Sequence, residues 1–290
     1  MTLQQRLFAA KAELQASGLS EPESRIEVGL FARTILGWDQ ARLITESHAD
    51  TPFALEPRFS EWIARRVRKE PSAYIVGVRE FWGLDFHVTP AVLIPRPETE
   101  MVVEEVLKRV GPVSSDPPIT PRIADIGTGS GCIAVSIAHD APHARVVATD
   151  ISGDAVAVAR ANAVRHGVDG RMAFVTTSYL DGIDGAFNII AANPPYVRDG
   201  DKLGLSEDVR HEPDVALFGG PSGFRHIEAV LDTAVQTLRP QGWLIMEMGL
   251  GQEDDVRAII ARRPALRVED MRSDLQGIPR TFVIQKTEET

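Results

Sequence analysis

Asp125-Ile126-Gly127-Thr128-Gly129-Ser130-Gly131 is the stretch on which the fold turns. An apolar run at 123–126 feeds into it and a helical stretch at 133–139 leaves it, so the glycines occupy a strand-to-helix turn. Glycine lets the backbone bend sharply there and approach a ligand with no Cβ in the way. Beyond the turn, strand-like runs recur at 145–149, 173–176, 187–191, 242–246 and 280–284. Helical stretches separate them at 153–166, 224–238 and 253–263. Strands alternating with helices of this length predict an α/β class: a Rossmann-like, mainly parallel, doubly wound sheet.

The chain ahead of this region reads differently. Leu3, Leu7, Ala10 and Leu14 recur at three- and four-residue spacing, one buried helix face. A second helix is expected from Pro22 through Ile26, Leu30, Phe31 and Ile35 to Gly37. A third covers 57–68, with Phe59, Trp62, Ile63 and Val67 inward. Arg65, Arg66, Arg68 and Lys69 read as a solvated helix face. Phe81, Leu84, Phe86, Val88 and Val92-Leu93-Ile94 suggest short strands. The expected division is a small all-helical domain at 1–73, a β-hairpin linker at 74–94 and the α/β domain at 95–290. Residues 114–121, with three prolines, form a loop.

Bulk composition narrows the class. Hydrophobic content of 43% and charged content of 25% suit a soluble globular protein. No long apolar run exists, and the first twenty residues carry Gln, Lys and Glu where a signal peptide would be apolar. A cytoplasmic protein without membrane attachment is expected. Cys132 is the single cysteine, so an internal disulfide and a cysteine zinc site are excluded. Seven histidines show no ligand spacing, and no metal is expected. A net charge of −10 argues against direct nucleic-acid binding. A monomer is expected.

Asp150 ends the second strand of the α/β region, where a carboxylate can accept both hydroxyls of an adenosine ribose. That placement suits NAD and S-adenosyl-L-methionine alike. The dinucleotide fingerprint G-x-G-x-x-G is not met, because position 132 is Cys. Asp125 ahead of the first glycine resembles the acidic D/E-x-G-x-G-x-G opening of class I methyltransferases. Gly127, Thr128, Gly129, Ser130, Gly131 and Asp150 are therefore expected to hold S-adenosyl-L-methionine.

Asn193-Pro194-Pro195-Tyr196 follows the strand at 187–191, at the sheet edge where open α/β folds hold ligands. Two prolines stiffen the backbone and remove two N–H donors. A planar nitrogen is a poor nucleophile because its lone pair is delocalised, so a site that methylates one must orient the NH2 toward the methyl donor. The Asn193 side-chain carbonyl and the Pro194 backbone carbonyl can accept its two N–H bonds, and Tyr196 can pack on the planar group. Asn193, Pro194 and Tyr196 are the expected catalytic residues; Pro195 joins them in binding substrate, and Asn193 also borders the cofactor. A rigid Pro-Pro turn with no chemistry is the bland alternative.

The chain resembles the HemK/PrmC family, glutamine methyltransferases of peptide chain release factors. The resemblance runs through Pro71–Gly77, Glu80–Leu84, Leu93–Glu100, Asp125–Gly131, Asp150–Ser152, Asn193–Tyr196, Glu212-Pro213 with Ala216-Leu217, and Glu247–Gly249 with Gln252. It implies methyl transfer from S-adenosyl-L-methionine to the glutamine of the Gly-Gly-Gln loop of release factors. The Pro95-Arg96-Pro97-Glu98-Thr99-Glu100 form resembles the release-factor branch rather than the ribosomal-protein branch. The helical domain would help dock the substrate. After the third strand of the large domain this chain has Ser178-Tyr179-Leu180 where the family commonly has a Ser-Asp-Trp-like segment. Leu180 is the residue expected to cover an adenine face. Asn188 replaces a usual acid and is read as a packing position.

Other charged residues read more modestly. Glu98 and Glu100 complement a helix start, or else Glu98 or Arg96 stands at the rim of the active site. Glu247, at a strand's carboxyl end, is a capping or cofactor-side residue, and His211 belongs to a surface loop. Two competing functions remain at this level: methylation of a flipped adenine base, which the tetrapeptide could also orient, and a non-catalytic module that binds the translation machinery.

Overall fold

A computed structural model describes residues 1–111 and 120–288. The chain divides into two compact units, residues 1–77 with 206–211, and residues 78–205 with 212–290. Most of the loop expected at 114–121 lies outside the described residues.

The first unit is helical: α1 (Leu3–Ala16), α2 (Glu21–Leu36), α3 (Gln40–Thr45), α4 (Arg58–Val67) and α5 (Ser72–Val76). Capping boxes start the two long helices. Thr2 and Gln5 exchange backbone N–H bonds at α1, and Ser20 and Glu23 do so at α2. Leu3, Leu14, Phe31, Phe59 and Ile63 make the core. Three expectations shift. Ile26 and Val67 point outward, and α2 buries Ser24, Val28, Phe31 and Ala32 instead. Arg66 is not solvated: it is 5% exposed, with Nε 2.5 Å from Glu27 and Nη2 2.9 Å from Asp208. The short α3, capped by Asp39, was not expected.

The second unit opens with a hairpin of β1 (Val78–Phe81) and β2 (Leu84–His87). Tyr74 to Val76 belong to α5, and Val92 to Ile94, expected as strand, form none. Then come α6 (Glu100–Val110), β3 (Arg122–Ile126), α7 (Cys132–Asp140), β4 (Arg145–Asp150), α8 (Gly153–Arg165), β5 (Met172–Thr176) and β6 (Phe187–Ala192). The chain closes with α9 (Asp214–Leu217), α10 (Arg225–Thr237), β7 (Leu238–Glu247), α11 (Glu253–Ala261), β8 (Leu266–Ser273) and β9 (Pro279–Lys286).

The seven strands run β5-β4-β3-β6-β7-β9-β8, parallel up to β7, with β9 and β8 antiparallel. The doubly wound reading holds. β8 was not anticipated, because only Leu266 is buried along its length. Both sheet faces are covered, as parallel strands require. Ile123, Ile189 and Ala191 face one core with α6 and α7, while Ala124, Ile190 and Ala192 face the other with α10 and α11. Asn188 does pack structurally: its Oδ1 accepts the Arg122 N–H at 2.9 Å.

Strand register sets the site. Thr149, Ile126, Ala192 and Met246 form one row across β4, β3, β6 and β7. The next residues, Asp150, Gly127, Asn193 and Glu247, therefore arrive side by side at the carboxyl edge. Strand order reverses between β3 and β6, the switch point where such sheets open a crevice.

Candidate active site

A solvent-open cleft lies at that edge. Gly127 and Gly129 stand at φ 72° and 53°, and a Cβ on either would meet nothing within 4 Å. Their absence of side chains thus serves the turn and the space in front of it rather than packing. Gly127 and Thr128 N–H both bond the Thr149 carbonyl, at 2.9 and 2.8 Å. Thr128 Oγ1 donates to the buried Asp125 at 2.6 Å. Burial pushes the Asp125 carboxyl up to about 7 against that bond.

Asp150 takes the Gly129 N–H on one oxygen and the Ser152 N–H on the other, both at 2.9 Å. Burial raises its pKa against these bonds. Each oxygen keeps a further lone pair for a ligand hydroxyl. Ile151 beside it is 62% exposed and borders the cleft, an apolar surface suited to a planar ring. Asn162, fully buried, donates to the Ser130 and His87 carbonyls and accepts the His87 N–H, which ties the glycine turn to the hairpin.

The expected residues Gly127, Thr128, Gly129, Ser130, Asp150, Asn193, Pro194 and Pro195 all border this cleft. Three others do not. Gly131 lies under α8, where a Cβ would meet that of Ala159 at 3.0 Å. Leu180 is 4% exposed and packs in the core, so Ile151 and Tyr179 take the cleft-facing place expected of it. Tyr179 adopts φ 50° and its hydroxyl meets His226 Nδ1 at 2.9 Å. Burial, with Arg225 nearby, lowers the His226 pKa.

Tyr196 is held behind the cleft. Its carbonyl accepts Gln252 Nε2 at 3.1 Å, and Gln252 Oε1 accepts the Gly249 N–H at 2.9 Å. A Cβ on Gly249 would reach the Tyr196 ring at 2.9 Å, and one on Gly219 would reach the Pro195 carbonyl at 2.7 Å. Burial keeps the phenol well above its ordinary pKa, as a neutral donor.

Asn193 is oriented from behind. Its Nδ2 donates to Thr99 Oγ1 at 3.1 Å, and Thr99 donates to Glu247 at 2.7 Å. The Pro95–Pro97 segment over the site is anchored by buried Glu212, which accepts the Ile94 N–H at 3.0 Å and pairs with Arg96. Glu100 instead accepts the Trp82 N–H. Burial drives the Cys132 thiol up to about 12, so it is an inert wall. Among the described residues there is no cluster suited to a metal ion.

Residues 6–77 match the model of the PrmC N-terminal domain and residues 107–211 that of the methyltransferase small domain. Two release factor glutamine methyltransferases align along nearly their full lengths. That of Moorella thermoacetica is 40% identical, covering 100% of both chains. That of Bradyrhizobium diazoefficiens is 39% identical, covering 95% of this chain and 92% of its own.

The chain belongs to the release factor glutamine methyltransferase family.

With that family goes S-adenosyl-L-methionine as methyl donor. A solved methyltransferase of Pyrococcus furiosus shares the fold, with TM-score 0.54, 18% identity, and 79% of this chain and 100% of its own covered. The residues fit the donor: an open glycine turn, a cleft-lining carboxylate at Asp150 with lone pairs to spare and an apolar wall at Ile151. When bound, the donor supplies an electrophilic methyl group.

Proposed function

We propose that the protein methylates the side-chain amide nitrogen of the glutamine in the Gly-Gly-Gln loop of peptide chain release factors. The observation that carries this is the Asn193 amide, committed through Nδ2 to Thr99, so that Oδ1 is the atom left to face the cleft. Oδ1 and the Pro194 carbonyl then accept the two N–H bonds of a glutamine NH2. The nitrogen lone pair stands perpendicular to the amide plane, toward the methyl donor. No strong base is required beforehand, because the methylated nitrogen sheds its proton readily. Asp150 with Gly127–Ser130 holds the donor, with Ile151 and Tyr179 against the adenine.

The acidic surface favours a protein substrate over a nucleic acid. Among the described residues no helix is long and apolar enough to cross a membrane. The protein acts as a cytoplasmic monomer on free release factors. Mass spectrometry of a purified release factor, incubated with the protein and donor, tests it. A gain of one methyl on the Gly-Gly-Gln peptide is expected. An unmodified peptide, with methyl appearing on DNA adenine instead, overturns it.

A further inference from the structure

Asn193 needs one particular orientation, and an isolated amide has two of nearly equal shape. The side chain behind it is Thr99, 2% exposed, on the Pro97–Thr99 turn that opens α6. Behind Thr99 is Glu247, also 2% exposed, at the end of β7. A hydroxyl carries one proton and two lone pairs, whereas an ionised carboxylate can only accept. With Glu247 ionised, the Thr99 proton must point at it. Thr99 can then only accept from Asn193, which fixes Nδ2 inward and Oδ1 outward.

We propose that Thr99 and Glu247 are positioning residues for methyl transfer, forming a relay in which ionised Glu247 holds the Asn193 amide oxygen toward the accepting nitrogen. This rests on the methyl-transfer reading above. A neutral Glu247 can itself donate to Thr99. The hydroxyl proton is then released to bond Asn193 Oδ1, and the flipped amide, which presents donors to a donor, becomes accessible. Burial pushes the Glu247 carboxyl up to about 7, against the Thr99 bond. Glu98 on the preceding turn raises it further, while Arg280 of β9 and Arg96 pull it down. Tyr196 and Cys132, the other titratable side chains that feel Glu247, stay neutral across this range. The relay therefore changes state close to neutral pH, and turnover rises as pH increases through that point.

The test uses the full chain, a purified release factor and donor, with Thr99→Val, Thr99→Ser, Glu247→Gln and wild type compared from pH 5.5 to 9. Thr99→Val and Glu247→Gln are expected to lower kcat tenfold or more at pH 8, with donor affinity by calorimetry within about threefold of wild type. Thr99→Ser restores turnover. The wild-type rise through pH 7 disappears in Glu247→Gln, which separates Glu247 from Asp125, also near 7. A second readout needs no turnover. The Asn193 side-chain NH2 signals in a 15N spectrum, identified by their loss in Asn193→Ala, shift with the same midpoint in wild type. Wild-type kcat in Thr99→Val, or NH2 signals that do not titrate, overturns the relay. Absence of any transfer by wild type, with the NH2 titration intact, defeats the substrate reading instead.

Discussion

A methyl group placed on Gly223 would stand 2.6 Å from the carbonyl oxygen of Tyr196. That carbonyl already accepts Gln252 Nε2, and Gly223 sits at φ 83°, which other residues reach only under strain. The loop after α9 is thus pressed against the backbone of the Asn193–Tyr196 segment. Gly223→Ala should displace it, at a cost of about 1–3 kcal/mol for overpacking. The expected result is a fall in kcat larger than the rise in KM, measured by steady-state kinetics on a release factor.

Asn193→Ala removes the amide that faces the cleft while leaving the glycine turn and Asp150 in place. Loss of one oriented polar group at a reacting centre lowers turnover by about 100- to 1,000-fold. Calorimetry should show donor binding close to wild type. Unchanged turnover would remove Asn193 from the mechanism.

Glu212 is 4% exposed and satisfies the Ile94 N–H as well as Arg96. Glu212→Ala leaves a buried donor unpaired, a loss of roughly 1–3 kcal/mol. The Pro95–Pro97 segment should loosen. A lower midpoint in urea, together with faster hydrogen exchange confined mainly to residues 93–99, is expected.

Asp125 gives a pH signature in stability. Its folded pKa is raised from 3.8 to about 7, so between about 4 and 7 the folded state keeps a proton that the unfolded state has released. Stability tied to this group is fully present below about 4 and is lost as pH rises through 7. Three units correspond to a loss on the order of 4 kcal/mol. Asp125→Asn keeps an acceptor for Thr128 and cannot ionise. Urea unfolding should find its advantage over wild type larger at pH 8 than at pH 5, and equal offsets at both would refute the assignment.

The sheet was legible because β3 and β6 are apolar runs followed directly by Gly127 and by Asn193-Pro194, so periodicity and turn chemistry agree. β8 escaped because Leu266–Ser273 is an edge strand with four charged residues and a single buried side chain. Arg66 misled for a related reason: a run of four cations names no partner, and Glu27 and Asp208 lie 39 and 142 positions away. At the site, the glycine turn and Asn193–Pro195 could be read directly, since their residue types are the chemistry. Thr99, Gly223 and Gln252 could not, because each acts only through a contact set by tertiary packing. Leu180 and Tyr179 are adjacent, and the positive φ at Tyr179, invisible in sequence, decides which of them looks into the cleft.

The bond between Arg66 and Asp208 carries a consequence for how this protein could be divided. Residues 206–211 belong with the helical unit although they are encoded deep within the α/β portion. The polypeptide therefore passes between the two units three times instead of once. A gene fragment ending at Gly77 would encode α4 without one of the carboxylates that neutralise it. Swapping the helical part between relatives should accordingly require two exchanged segments.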